Sequence, residues 1–449
     1  KKVVKLALAS ALWLAVGSVL ALVAALKLHL PDFLNSETLT YGRVRALQQV
    51  ALGYGWSFNA ALAVALWLMH RLGRVEFRHG WVALLGAFGW NAALVHGCGA
   101  IATGQLTGAD WLPFPAEVVP VLVASFLLTG LWSTVAFSRR QTGATYVSQW
   151  YVLAAMFWLP VLWLAALLAL RCHPARGTVQ AVVEAWYVHG VTGLFLPSVG
   201  LAAVYYFLPK VLGRPVHSYY LAVVGFWTFA LFNAWAGLGQ LVGGPIPVWL
   251  QSASIVASAM MIIPVLIVGI NFLGTLGGSG ASGGREPTLR FSAYAAVAFV
   301  LAGVAGAVLP LRSVSALTRF TDIVVARDQL LSQAFLAMAL FGALYYILPR
   351  LARRDWPSAS LVHAHFWLCA LGAAGLIAVL AVHGWIQGHQ WNDPAVSPAQ
   401  VAASALPWNV AASGCTLLLT LGHVLFAAHV LWLLAPRAER RDGQSFVAR

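Results

Sequence analysis

Residues Glu184–Gln240 read EAWYVHGVTGLFLPSVGLAAVYYFLPKVLGRPVHSYYLAVVGFWTFALFNAWAGLGQ. Two apolar runs flank a short basic turn at Lys210 and Arg214. Each run exceeds the ~20 residues that a helix needs to cross hydrocarbon. The same pattern fills the chain of 449 residues, which is 61% hydrophobic and 9% charged, with a mean hydropathy of +0.80. A water-soluble fold is excluded, because nearly every long segment would present apolar surface to solvent. The pattern predicts an all-α membrane protein with about twelve spans, at 5–29, 46–70, 80–104, 116–138, 148–170, 185–209, 218–241, 248–277, 290–310, 328–349, 361–386 and 408–434. Residues 1–449 are expected to form a single polytopic domain.

The net charge of +14 is a topology signal and implies no nucleic-acid partner. The loops after even-numbered spans hold Arg71, Arg74, Arg78, Arg139, Arg140, Lys210, Arg214, Arg285, Arg290, Arg350, Arg353 and Arg354. With Lys1, Lys2, Lys5, Arg437, Arg440, Arg441 and Arg449, one side carries 19 of the 27 basic residues. Positive residues favour the cytoplasmic side. Both termini, a flexible glycine-rich loop at 277–288 and a basic tail at 436–449 are therefore expected in the cytoplasm. The first span opens with lysines but is too long for a signal peptide and lacks a small-residue cleavage site, so it is expected to be retained. Cys98, Cys172, Cys369 and Cys415 are scattered, with no C-x-x-C-H for covalent heme and no disulfide framework.

Three segments echo one another: Trp67-Leu-Met-His-Arg71, Tyr206-Phe-Leu-Pro-Lys210 and Tyr346-Ile-Leu-Pro-Arg350. Their basic residues lie 139 and 140 positions apart, and each is followed by an aromatic entry into the next span at Phe88, Phe226 or Phe366. A fixed period marks a repeated unit. Here it predicts three quasi-equivalent groups of four helices.

The opening stretch, with Tyr205-Tyr206-Phe207, Pro209-Lys210, Gly213-Arg214-Pro215-Val216 and Trp235-Ala236-Gly237, resembles subunit I of the heme-copper oxidases, in particular the cbb3-type cytochrome c oxidases. The resemblance covers about residues 35–435 and implies twelve helices around two hemes and a copper ion. It places six metal-ligand positions, and this chain departs from most of them. Tyr41-Gly42-Arg43-Val44-Arg45-Ala46-Leu47 matches the run before the low-spin heme ligand, but the ligand position is Gln48. The first copper position is His189; the two later ones are Gly239 and Gln240. Asn233 stands where the family has its cross-linked tyrosine, Arg327 and Gln329 where it has a His-x-His serving both hemes, and Ala412 where it has a propionate-binding arginine. The chain is thus a degenerate member in which His189 alone survives.

Other histidines invite a second reading. His363-Ala364-His365 mimics His-x-His, yet it opens the eleventh span, where Ala364-His365-Phe366-Trp367-Leu368 matches a different family segment. His96, His423 and His429 are further intramembrane imidazoles, and an unpaired polar group in hydrocarbon costs several kcal/mol. These five are heme candidates of last resort. His423 and His429 are six apart, which a helix turns about 120° from one another. No acidic residue falls deep in a span, which argues against a pump, since proton relays place ionisable groups there. Mid-span Asn59, Asn91, Asn233 and Asn271 suit interhelical hydrogen bonds. The twenty tryptophans, among them Trp111, Trp249, Trp385, Trp391 and Trp408, are expected largely in interfacial belts.

The resulting expectation is a bacterial inner-membrane subunit without heme or copper, not itself catalytic. It would act as a scaffold in a respiratory complex, beside a membrane-anchored c-type cytochrome or other electron-transfer subunits. Arg327 is expected in an ion pair or hydrogen-bonded network near the outward rim, with Asp328, Asp322 or Glu184, helping to seal the empty heme region beside Gln329 and Gln48; the alternative is a lipid or quinone tail lodged there with its polar head near Arg327. The alternatives are a divergent oxidase or nitric oxide reductase with relocated heme b, and a proton- or ion-conducting module.

Overall fold

The computed structural model describes residues 2–76, 79–141, 143, 145–172, 174–277 and 286–436. The loop at 277–288 and the tail at 436–449 lie outside them apart from their ends. Among the described residues twelve helices are long and apolar enough to cross a membrane: Lys2–Lys27, Tyr41–Gly73, Trp81–Ala102, Val118–Ser138, Val147–Leu170, Thr178–Leu212, Tyr219–Leu241, Val248–Leu276, Pro287–Val308, Asp322–Ala352, Ala359–Asn392 and Pro398–Leu434. They match the expected spans one for one. The main differences lie on the face opposite the basic loops, where helices begin earlier, at Thr178, Asp322 and Pro398, or run on to Asn392. Hydropathy reports the thickness of hydrocarbon, whereas a helix continues into the polar layer as long as its backbone stays paired. Part of the loops expected at 311–327 and 387–407 is accordingly helical, including Arg312–Thr318 and Pro398–Ser404.

Over their most apolar stretches the second, sixth and tenth spans are 94%, 83% and 78% buried, against 39–50% for the other nine. These three pack against one another at the centre of the bundle. Each is interrupted by a π-helical segment, at Val50–Ser57, Gly190–Phe195 and Leu330–Ala337. The segments begin 140 residues apart, at the period of the sequence repeat. The repeated aromatics converge as well. The Trp67 ring centroid is 5.4 Å from that of Tyr206 and 5.9 Å from that of Tyr346, near the basic face. Nine helices therefore surround a central trio to which each group of four contributes one span, as the period predicts.

The mid-span asparagines join helices. Asn91 donates to Asn59 Oδ1 at 3.0 Å and accepts from Trp13 Nε1 at 2.8 Å, tying the first three spans together. Asn271 Nδ2 donates to the Ser218 carbonyl at 2.9 Å, and its Oδ1 accepts from the Ser218 N–H at 2.9 Å. The tryptophans divide otherwise than expected. Trp249, Trp385 and Trp391 are exposed near span ends, but Trp56, Trp67, Trp90, Trp132 and Trp163 are buried core residues. Large rings fill the interior wherever their N–H finds an acceptor. Trp90 Nε1 donates to the Tyr54 carbonyl at 3.1 Å, and Trp163 Nε1 to Tyr187 Oη at 2.7 Å.

Candidate functional site

His189 ends the α-helical turn of the sixth span, directly before the π segment at Gly190–Phe195. Its Nε2 is 2.7 Å from Asn233 Oδ1 on the seventh span, and Asn233 Nδ2 donates to the Gly193 carbonyl at 2.8 Å. The carbonyl of Gly193 accepts only, so the Asn233 amide presents its oxygen to the ring. His189 Nε2 then carries the proton, and Nδ1 of the neutral imidazole keeps the lone pair. Two glycines admit the ring: a Cβ at Gly193 would lie 2.7 Å from its Cε1, and one at Gly237 would lie 2.3 Å from its Cγ.

The ring borders a cavity of about 420 Å³, whose lining includes Asn233, Phe229, Met261, Val265, Phe299 and Leu331. The mouth lies on the face opposite the basic loops, where Asp110, Gln240, Arg319, Phe320, Arg327 and Asp328 contribute. Arg327 Nη1 donates to Asp328 Oδ1 at 2.9 Å, which is the rim ion pair expected from the sequence. Gln49 Nε2 donates to Asp110 Oδ1 at 2.6 Å. Arg319 Nη1 donates to the Val242 carbonyl, and its guanidinium lies 5.2 Å from the Phe320 ring centroid. Burial lowers the Arg319 pKa from its ordinary value, though a guanidinium stays charged in proteins.

The structure gathers some of the positions that the resemblance singles out around this cavity and leaves others apart. His189, Asn233, Gly239, Gln240 and Arg327 all line it. Gly239 and Gln240 lie in the short 3-10 helix Leu238–Leu241, with Gln240 exposed. Gln48 and Gln329 are half-buried at the head of the second span and the end of Asp322–Gln329. The donor set does not fit heme iron or copper. A guanidinium has no lone pair to give, glycine has no side chain, and an amide oxygen is a poor substitute where imidazole suits these metals. Among the described residues no group of three or more His, Cys, Asp or Glu could hold a metal ion.

The remaining histidines are distributed elsewhere. His363 is exposed, with its ring nitrogens 2.8 Å from Arg290 Nη1 and 3.0 Å from Trp367 Nε1. His96 is exposed on the third span. His365 is fully buried, with Nδ1 2.9 Å from Tyr345 Oη and the ring enclosed by Phe291, Phe341 and Phe426 at centroid distances of 5.2, 4.5 and 5.0 Å. His423 Nδ1 is 2.7 Å from Ser18 Oγ, whereas His429 Nε2 accepts from the Ser358 N–H at 3.3 Å. The last two thus turn to different neighbours, as their spacing predicts. The Phe341 ring lies 4.5 Å from that of His365 and 5.7 Å from that of His423, and Phe426 stacks on His365 at 5.0 Å, so these imidazoles sit in a packed aromatic cluster.

Sequence reasoning missed the His189–Asn233 clamp, Arg319 and Gly237. Asn233 was legible as a replaced tyrosine and as a mid-span amide suited to an interhelical hydrogen bond, but nothing in the local pattern pairs it with a residue 44 positions away.

The whole frame, from the buried trio to the cavity beside His189, has known counterparts. Residues 1–418 match the family model described as cytochrome C and quinol oxidase polypeptide I. The chain belongs to that family, the subunit I family of the heme-copper oxidases. It is 29% identical over 403 residues to a cytochrome c oxidase subunit 1 homolog of Agrobacterium tumefaciens, covering 86% of this chain and 73% of that one. It is 27% identical over 403 residues to the cbb3-type cytochrome c oxidase subunit CcoN1 of Stutzerimonas stutzeri, covering 87% and 84%. A solved heme-copper terminal oxidase dimer matches the fold with a TM-score of 0.77 over 98% of this chain and 85% of that chain, at 14% identity. The family normally binds heme and copper. This subunit I relative is an integral membrane protein that keeps the family's frame.

Proposed function

We propose that this chain is a subunit I-like scaffold that carries neither heme nor copper and positions electron-transfer partners in a respiratory complex. One observation carries the reading: the single imidazole left at the family's ligand positions, His189, spends its N–H on Asn233 and has no second imidazole beside it at the cavity. One lone pair does not hold a copper ion against water, and fold alone does not bring the chemistry with it. The partners would be a membrane-anchored c-type cytochrome or other electron-transfer subunits. The cavity would hold a lipid or quinone tail in place of a porphyrin.

The test is a visible absorption spectrum and a metal analysis of the purified chain. No Soret band and copper well below one equivalent are expected. Stoichiometric heme or copper would replace the scaffold with a divergent oxidase.

The same reading places the protein in a bacterial cytoplasmic membrane with both termini inside, because the basic loops gather on one face. In a background without native cysteines, Glu286→Cys should resist an impermeant thiol reagent on intact cells, and Gly243→Cys should react. The reverse pattern would invert the topology of all twelve spans.

A further inference from the structure

We propose that the cavity beside His189 holds the acyl chain of an anionic amphiphile whose phosphate or carboxylate rests on Arg319. This rests on the reading that no heme occupies the same space. The cavity, at about 420 Å³, falls within the ~300–1,000 Å³ of ordinary ligand sites. Its walls are apolar where Phe229, Met261, Val265, Phe299, Leu309 and Leu331 line it. The polar corner is small, and the clamp already uses the His189 N–H and both ends of the Asn233 amide.

Charge at the mouth selects the head group. Arg327 is matched by Asp328, and the Asp110 carboxylate, its charge uncancelled, is held by the neutral Gln49 amide beyond ion-pair distance of Arg319. Arg319 has no carboxylate within ion-pair distance among the described residues, and its Nη1 donates to the main-chain carbonyl of Val242. A half-buried cation without a counterion is costly. The neighbouring Phe320 is 84% exposed beneath that guanidinium, an aromatic and a cation side by side at a span end. Such pairs suit the interfacial layer, and basic pockets between membrane helices take anionic lipid heads. A tail in the apolar hollow and an anion at its rim satisfy both halves of the site at once.

Gly306 gives the test its cleanest handle. A Cβ there would meet nothing nearer than the Arg327 guanidinium, at 3.8 Å, so a side chain can grow into the cavity without striking a helix. The detergent-purified protein would be examined by native mass spectrometry after incubation with dipalmitoyl phosphatidylglycerol or with palmitate. Wild type should keep one adduct under activation that strips surface lipid. Gly306→Leu should lower its retention at least tenfold, and Arg319→Gln several-fold, with Arg319→Lys keeping most of it. Retention of phosphatidylglycerol would identify a membrane phospholipid, and retention of palmitate alone a free fatty acid. No retained adduct, or equal retention in wild type and both disabling variants, would overturn the proposal. A Soret band in the same preparation would instead overturn the scaffold reading beneath it. If Gly306→Leu does not fold, Arg319→Gln at the exposed mouth decides the matter alone.

Discussion

Gly237→Ala should destabilise the folded protein by about 2–6 kcal/mol, the larger part of the net stability of many domains. Two independent costs meet at this position. Its φ is +104°, a left-handed conformation that penalises any Cβ by about 1–3 kcal/mol. The added carbon would also stand 2.3 Å from His189 Cγ and 2.4 Å from its Cβ, and overpacking adds about 1–3 kcal/mol. The ring cannot step aside without giving up its 2.7 Å contact with Asn233. Thermal unfolding in detergent would measure the loss, with Gly99→Ala as a control because nothing lies within 4 Å of a Cβ there. A fall in Tm no greater than that of the control would mean that the end of the seventh span is slack and the clamp unimportant.

Trp163→Ala should cost about 3–5 kcal/mol, the range for removing a large buried aromatic. Trp163 is 2% exposed, with its ring 5.7 Å from Trp90, 5.6 Å from Phe126 and 6.1 Å from Phe58. Its N–H also donates to Tyr187 Oη, which lies 2.9 Å from Tyr54 Oη, so the fifth span is bonded to the sixth and through it to the second. Tyr187→Phe alone should cost about 1–3 kcal/mol, because it strands the buried indole donor. The double variant should lose less than the two singles together, since the shared bond can be broken only once. Full additivity would show that the two rings act separately and that the hydrogen bond is incidental.

The frame was legible because the bilayer imposes it. Twenty apolar residues, a basic turn and another twenty leave a chain little choice, and the recurrence of Trp67, Tyr206 and Tyr346 gave the grouping. The asparagines were legible for the same reason: an amide in hydrocarbon must find a partner, although which partner was open. The site was legible as a set of replaced residues and not as a geometry. That Asn233 turns its oxygen to His189 depends on the Gly193 carbonyl, and the turn at Gly237 admits the ring. These are meetings across distant segments with no periodic trace. The tryptophans show the same limit. Trp163 and Trp227 sit in similar apolar contexts, yet one is core and the other exposed, because burial is decided by which face of the helix meets its neighbours.

The three π segments bear on how such a protein could have changed its chemistry. A π turn carries more residues per revolution than an α turn, so the main chain swells and the helix axis shifts where it occurs. Gly193 and Leu331, both on the cavity wall, belong to two of these segments. The hollow is therefore cast partly in backbone segments that recur at the period of the bundle, whereas the imidazoles that the family hangs there are single side chains. Point substitutions can strip the ligands one at a time and still leave the mould standing. To close it would take the deletion of a residue from a central helix, which would rotate everything beyond it out of register with the helices packed around it. A lineage that gave up its metals would keep the room they stood in and be free to furnish it differently.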